Sequence, residues 1–223
     1  MSLKTSYLFL YNCLQSLGWS SVLYTVSSGV ILGSPLPSTA LAATPAVAYL
    51  QGLAALELAH ASLGLVSGSA SSAFMQLFGR NIVLFGYVLP ASLASSPVAA
   101  APVLSLYFAW ALSEVIRYPF YALSLLGGCP GALTWLRYTA FIALYPVGIF
   151  SECVCVYLSL EVVAPMLGER LGVDVGVALP VGTAAYCAFA YGYCGVLLYK
   201  YMLKQRRKVL GPVDRAAGKK KKA

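Results

Sequence analysis

The chain has 223 residues, of which 60% are hydrophobic and only 10% charged, and its mean hydropathy is +0.78. Soluble domains carry about 25% charged residues, so this composition excludes an ordinary soluble protein and predicts a chain that crosses a membrane several times. The net charge of +8 does not indicate a nucleic-acid-binding face, because ten of the 15 Lys and Arg residues lie from Lys200 onward, in the C-terminal segment.

Six windows of about 20 apolar residues, the length needed to cross a hydrocarbon core of about 30 Å, occur along the chain. They lie at about 7–32, 46–67, 78–98, 102–126, 136–160 and 176–202. We therefore predict an all-α membrane protein whose residues 1–203 form a bundle of six transmembrane helices. The connections between the windows are short, which makes consecutive helices antiparallel neighbours.

The basic residues indicate the orientation of the bundle, because short cytoplasmic loops are enriched in Lys and Arg. Fourteen of the 15 fall on one side of the predicted membrane: Lys4, Arg80, Arg137, the ten from Lys200 onward and, inside span four but towards that side, Arg117. The opposite connections, 33–45, 96–102 and 161–175, contain Arg170 alone. We therefore predict that the N- and C-termini are both cytosolic.

The N-terminal segment has two interpretations. A basic residue, a long apolar run and Ala40-Leu41-Ala42 resemble a cleaved signal peptide. The apolar run is about twice as long as the apolar core of a signal peptide, however, and it contains Asn12, Gln15 and Trp19. We favour an uncleaved first span.

Residues 204–223 are rich in lysine and arginine and lack apolar periodicity. They predict a basic cytosolic tail that contacts anionic membrane lipid. Lys220 and Lys221 lie four and three positions from the C-terminus, a spacing that resembles the dilysine retrieval signal of endoplasmic reticulum membrane proteins. The alternative is a polybasic tail that is merely solvated.

Polar residues inside the predicted spans are candidates for function, because an ionisable side chain at the bilayer centre costs about 2.5 kcal/mol or more. They are Glu57, His60, Gln76, Arg80, Glu114, Arg117, Tyr145 and Glu152. Two pairs, Glu57 with His60 and Glu114 with Arg117, are three residues apart and can interact along one helix face. We interpret the second pair as a structural ion pair and His60 as a hydrogen-bonded core residue, since a metal site needs more ligands.

Tyr145 and Glu152 form the most informative pair. Seven residues of a helix turn through about 700° and rise about 10.5 Å, so the two side chains face the same way. No basic residue lies within two turns of Glu152 on its own helix. Pro146 and Gly148 leave room beside the pair. The spacing alone is compatible with acid/base catalysis or with a buried polar contact between helices.

Four parts of the chain resemble the very-long-chain (3R)-3-hydroxyacyl-CoA dehydratases, a family also called protein tyrosine phosphatase-like. They are YLFLYNCLQSLGW (7–19), LELAH (56–60) with MQLFGR (75–80), WALSEVIRYPFY (110–121) and WLRYTAFIALYPVGIFSE (135–152). The resemblance implies that Tyr145 and Glu152 are the catalytic pair. It further implies supporting roles for Gly148, Glu57, Gln76, Arg80 and Arg137.

Two positions depart from the family pattern. Gly79 stands where a serine is expected before Arg80, and Ala61 stands where some relatives carry a cysteine. True tyrosine phosphatases need a cysteine and an arginine with five residues between them, and the sequence contains no such C-x5-R motif. Phosphatase activity is therefore not predicted.

The resemblance implies loss of water from a long-chain (3R)-3-hydroxyacyl-CoA to give a trans-2-enoyl-CoA, the third step of fatty-acid elongation, in the endoplasmic reticulum membrane beside the other elongation enzymes. One carboxyl and one phenol suffice for this elimination, so no metal or cofactor is predicted. Glu152 is favoured as the base at C2 and Tyr145 as the proton donor to the C3 hydroxyl, although the reverse assignment stays open. Arg80 and Arg137 are expected to hold the coenzyme A phosphates or, alternatively, only to anchor the cytosolic face.

The alternatives to a dehydratase are a scaffold and a transporter. A catalytically silent scaffold of an elongase or signalling complex would keep the same bundle and tail. A small transporter would need paired broken helices and inverted halves, and the sequence shows neither.

Overall fold

The computed structural model of the protein describes residues 2–66, 70–93 and 100–211, without the side chains of residues 70–73, 76 and 93. Every regular element in these ranges is helical, which confirms the predicted all-α class. The α-helices are α1 (Leu3–Ile31), α2 (Leu36–Leu53), α3 (Ala55–Ser62), α4 (Ala70–Asn81), α5 (Leu89–Leu93), α6 (Ala100–Leu125), α7 (Gly131–Thr139), α8 (Phe141–Leu171), α9 (Ala178–Cys187) and α10 (Val196–Leu210). Two π-helical segments, Ile82–Val88 and Ala188–Gly195, lie between α4 and α5 and between α9 and α10.

Helices α1 and α6 form the centre of the bundle, with α2 packed on α1 and α8 packed on α6. The buried core includes Trp19 of α1, Val47 of α2 and Tyr107 of α6. The Tyr107 hydroxyl lies 3.0 Å from Thr44 Oγ1 of α2. Asn12 and Gln15 of α1 and Glu114 of α6 are buried in this packing, away from the surface that lipid would contact.

Three helical stretches of the described chain are long and apolar enough to cross a membrane: Leu36–Ser62, Gly131–Leu171 and Ala178–Leu210. A shorter apolar stretch covers Leu77–Ser92. Helices α1 and α6 contain 29 and 26 residues, enough in length to cross about 30 Å of hydrocarbon, but they are not among these three stretches. The composition of the long helices supports a membrane protein, and the number of spans stays a prediction.

The second predicted span starts too late. Helix α2 begins at Leu36, so most of the connection expected at 33–45 is helical. Pro35 precedes the helix, and a proline lies in its first turn, where the missing N–H breaks no helical hydrogen bond. These prolines therefore mark the start of a helix inside the segment predicted as a connection.

The connection predicted at 161–175 is also mostly helical, because α8 continues to Leu171. The residues after Leu160 include Glu, Met, Leu and Arg, which have high helix propensity. The helix ends at Gly172, whose φ of 67° is the left-handed conformation of a C-terminal cap. At the C-terminus α10 extends to Leu210, seven residues into the segment expected to be irregular, and Lys220 and Lys221 lie outside the described residues.

Candidate active site

A cavity of about 540 Å³ lies where α3, α4, α6, α7, α8 and the second π-helical segment meet. Eight of the nine residues predicted to form the site line this cavity: Glu57, Arg80, Glu114, Arg117, Arg137, Tyr145, Gly148 and Glu152. The ninth, Gln76, lies on α4, and its side chain is outside the described part of the structure. Residues that are up to 95 positions apart in the sequence therefore share one space.

Tyr145 and Glu152 occupy one face of α8, as their spacing predicts, and each has a hydrogen-bond partner on another element. The Tyr145 hydroxyl donates to the backbone carbonyl of Gly195, at 3.2 Å. Glu152 is 9% exposed, and its Oε1 accepts a hydrogen bond of 3.0 Å from Trp110 Nε1. In this arrangement the phenol acts as a donor and the carboxyl as an acceptor.

Trp110 connects this pair to the charged residues of the cavity. The Arg80 guanidinium lies over the Trp110 ring, 5.3 Å from its centroid, which is a cation–π distance. The same indole donates its N–H to Glu152. A neutral side chain therefore stands between Arg80 and Glu152 and contacts both.

Two carboxylates and two arginines form a continuous ion network between α3, α4 and α6. Glu114 is 2% exposed and accepts hydrogen bonds from Arg80 and Arg117. Arg117 also donates to both carboxylate oxygens of Glu57, at 2.8 and 2.9 Å. The Tyr118 hydroxyl donates to Glu57 as well. The predicted pairing of Glu114 with Arg117 is confirmed, within a network larger than one pair.

Glu57 does not pair with His60, although their three-residue spacing on one helix face would allow it. His60 is 4% exposed, and its Nε2 lies 2.8 Å from the Tyr7 hydroxyl of α1. Its ring also packs edge-on against Tyr11. The interpretation of His60 as a hydrogen-bonded core residue is confirmed. Glu57 turns instead to Arg117, which offers two charge-assisted hydrogen bonds.

Gly148 and Arg137 contribute space and positive charge. Gly148 is buried, yet a Cβ added there would meet no atom within 4 Å, so the glycine leaves room in the cavity between Tyr145 and Glu152. Arg137 of α7 donates to the Tyr121 hydroxyl at 3.2 Å, and its guanidinium lies 5.7 Å from that ring. Arg137 forms no ion pair with any residue that the structure describes.

Three aromatic residues that the sequence did not predict also surround these groups: Trp110, Tyr118 and Tyr191. Trp110 precedes Glu114 by four residues and Arg117 by seven, so all three share one face of α6. This helical spacing could have identified Trp110 as a site residue, but a tryptophan in an apolar helix is normally assigned to the hydrophobic core. Tyr191 lies on a π-helical segment, whose register ordinary helical periodicity does not predict.

Residues 51–212 match the family described as protein tyrosine phosphatase-like protein, PTPLA. This match covers most of the chain and contains every residue that lines the cavity. The chain therefore belongs to the protein tyrosine phosphatase-like family, as the motifs indicated.

Curated proteins with similar sequences carry a common name. The chain is 33% identical over 222 residues to a very-long-chain (3R)-3-hydroxyacyl-CoA dehydratase from Gallus gallus, covering 96% of this chain and 59% of the relative. It is 34% identical to a probable enzyme of the same name from Schizosaccharomyces pombe, covering 93% of this chain and 94% of the relative. A Caenorhabditis elegans dehydratase is 35% identical, with 95% and 97% covered. No solved structure matches the chain significantly.

Proposed function

We propose that this protein removes water from very-long-chain (3R)-3-hydroxyacyl-CoA to give trans-2-enoyl-CoA, the third step of fatty-acid elongation. The observation that carries the proposal is the convergence of Tyr145 and Glu152 on one cavity with the ion network of α3, α4 and α6. Relatives of similar length are named as dehydratases of this substrate. A dehydratase is a hydro-lyase, and the elimination needs only an acid and a base.

The proposed reaction breaks two bonds and releases one water. A base takes the proton at C2, which the neighbouring thioester makes acidic, and the electron pair forms the C2–C3 double bond. The C3 hydroxyl leaves as water after it receives a proton from an acid. Two positioned side chains can supply both transfers, and each contributes about 10²- to 10⁴-fold to the rate.

We assign the base to Glu152 and the acid to Tyr145. The Tyr145 hydroxyl donates a hydrogen bond to the Gly195 carbonyl. A substrate C3 hydroxyl that took the place of this carbonyl would accept the same hydrogen bond from Tyr145. Glu152 accepts from Trp110, as a carboxylate that removes protons does. The two residues are about 10.5 Å apart along the helix axis, so the proposal requires their side chains to reach towards each other to act on the adjacent carbons C2 and C3.

The assignment is tested with purified protein and (3R)-3-hydroxyacyl-CoA of long chain length. We expect Tyr145→Phe and Glu152→Gln each to lower turnover by about 100-fold or more while the thermal unfolding temperature stays within a few degrees of the wild type. Tyr157→Phe is the matched control, because Tyr157 lies on the same helix with 73% of its surface exposed. Normal turnover in both variants would exclude the proposed mechanism.

Exchange of the C2 hydrogen in deuterated water separates the two roles. If Glu152 is the base, Tyr145→Phe retains slow exchange at C2 without releasing water, and Glu152→Gln loses exchange. The opposite pattern would reverse the roles. A wild type that binds the acyl-CoA but neither exchanges nor dehydrates it would instead favour the catalytically silent scaffold.

Arg137 is the better candidate for holding the coenzyme A phosphates. Arg80, the other arginine considered, is engaged by Glu114 and by the Trp110 ring, whereas Arg137 has no carboxylate partner among the described residues. We expect Arg137→Gln to raise KM for the acyl-CoA about tenfold, the effect of losing roughly 1.4 kcal/mol of binding, with little change in kcat. An unchanged KM would remove Arg137 from this role.

The membrane arrangement is part of the proposal. We propose six spans within residues 1–203, both termini in the cytosol, and a basic tail whose Lys220 and Lys221 act as an endoplasmic reticulum retrieval signal. The helix pair α7 and α8 spans 41 residues, about 60 Å, which is longer than the hydrocarbon core, and this length supports a position of Arg137 near the membrane surface. There the enzyme would meet acyl-CoA substrates and the other elongation enzymes.

A further inference from the structure

The second π-helical segment, Ala188–Gly195, contacts both members of the proposed catalytic pair. Its last residue, Gly195, accepts the hydrogen bond from Tyr145. Tyr191, in the middle of the segment, lines the cavity and lies next to Glu152. π-helical segments occur frequently at functional sites, and this segment is the only described element that reaches Tyr145 through a backbone carbonyl.

The Tyr191 hydroxyl is buried beside the Glu152 carboxylate, but it forms no hydrogen bond of good geometry with any residue that the structure describes. Its ring packs edge-on against Tyr186, with 6.2 Å between centroids, which fixes the direction of the side chain. A buried hydroxyl without a partner is destabilising, and such groups are rare in folded proteins unless they serve a function or bind something absent from the structure. We therefore expect this hydroxyl to form a hydrogen bond in the functional state of the protein.

Glu152 can provide that partner. Within the described residues its carboxylate accepts one hydrogen bond, from Trp110, whereas an ionised carboxylate has about four acceptor sites. Catalytic hydrogen bonds are often long or misaligned before the substrate is bound and shorten in the complex. A small movement of Tyr191 towards its neighbour would satisfy both groups.

We propose that Tyr191 is a positioning residue that donates a hydrogen bond to Glu152 in the substrate complex and, with Trp110, holds this carboxylate against C2 of the substrate. The inference rests on the proposed dehydratase function and adds a residue to it. Tyr191 acts through Glu152 and does not itself exchange a proton with the substrate. Its loss should therefore affect the chemical step more than substrate binding.

The test compares Tyr191→Phe with Tyr193→Phe in the purified full-length protein. Tyr193 lies two residues away in the same π-helical segment, but it is 62% exposed and stacks on Phe189. We expect Tyr191→Phe to lower kcat about 10- to 100-fold, the range seen when outer partners of reacting groups are removed at metal sites, with KM unchanged. Its unfolding temperature should be equal or higher, since the lost hydroxyl had no partner. Tyr193→Phe should match the wild type in all three measurements.

The other outcomes distinguish a failure of the Tyr191 proposal from a failure of the dehydratase proposal. A Tyr191→Phe variant with normal kcat overturns the role of Tyr191 and leaves the dehydratase assignment intact. A raised KM with normal kcat would make it a substrate-binding residue, and a lowered unfolding temperature would make it a structural one; both overturn the proposal. A wild type without dehydratase activity would overturn the proposed function itself and, with it, the role of Tyr191 in that reaction.

Discussion

Trp110 shows how one neutral side chain can connect two charged groups. Its ring lies under Arg80 and its N–H is bonded to Glu152, so it fixes the carboxyl without neutralising it. An arginine in the same place would form an ion pair with Glu152 and weaken it as a base. The tryptophan therefore allows the cavity to contain strong positive charge beside a carboxyl that still accepts protons.

Replacing Trp110 by phenylalanine isolates this hydrogen bond. Trp110→Phe keeps an aromatic ring below Arg80 but removes the N–H donor. A hydrogen bond to a charged group contributes about 1.5–3 kcal/mol, and each 1.36 kcal/mol of transition-state stabilisation is about tenfold in rate. We expect kcat to fall about 10- to 100-fold in steady-state assays. Trp135→Phe, at a position 51% exposed on α7, serves as the control, and equal kcat values in the two variants would contradict the role of Trp110.

At the scale of the elements, α6 organises the site. From this one helix, Trp110 contacts Glu152, Glu114 holds Arg80, and Arg117 holds Glu57. The helix also packs on both α1 and α8, so its position is fixed from two sides. The orientation of the α8 face that carries Tyr145 and Glu152, relative to α3 and α4, therefore depends on α6.

Removing Arg117 should destabilise the bundle more than any exposed charge. Arg117→Met leaves Glu57 without its bidentate partner and Glu114 with Arg80 alone. Breaking a fully buried ion pair on one side costs about 3–5 kcal/mol, and we expect a smaller loss of about 2–3 kcal/mol here because the Arg117 and Glu57 side chains are 20% and 26% exposed. Denaturant unfolding in detergent micelles measures the loss. Arg170→Met, at an exposed position in the last turn of α8, should change the free energy of unfolding by about 0.5 kcal/mol or less. A similar small loss in Arg117→Met would show that the network adds little stability.

The sequence predicts contacts between residues that are close together on one helix, but not contacts between residues that are far apart along the chain. The common direction of Tyr145 and Glu152 and the contact of Glu114 with Arg117 lie within two turns of one helix, where periodicity applies. The bonds between Glu57 and Arg117 join residues 60 positions apart, and no helical period connects them. The π-helical segments add a residue per turn to the register, so they move side chains such as Tyr191 to faces that a regular helix would not predict.

For the whole molecule, the six-span topology can be tested by protease protection. In sealed microsomes with the cytosolic face outward, epitope tags at the N-terminus and at the C-terminus should both be digested, because basic residues concentrate on the cytosolic side. A tag inserted between Gly172 and Val177, in the connection from α8 to α9, should survive until detergent is added. Digestion of this internal tag in intact vesicles, or protection of either end, would contradict the topology.

The ion network also has a consequence for how the chain enters the membrane during synthesis. Glu57 emerges from the ribosome 60 residues before its partner Arg117. In the proposed six-span arrangement, an unpaired charge inside the bilayer is unfavourable by a few kcal/mol, so α3, which carries Glu57, is harder to insert alone than together with α6. The insertion machinery is therefore expected to retain the early helices at its lateral opening until α6 arrives, and Arg117→Met should slow their release as well as weaken the finished bundle.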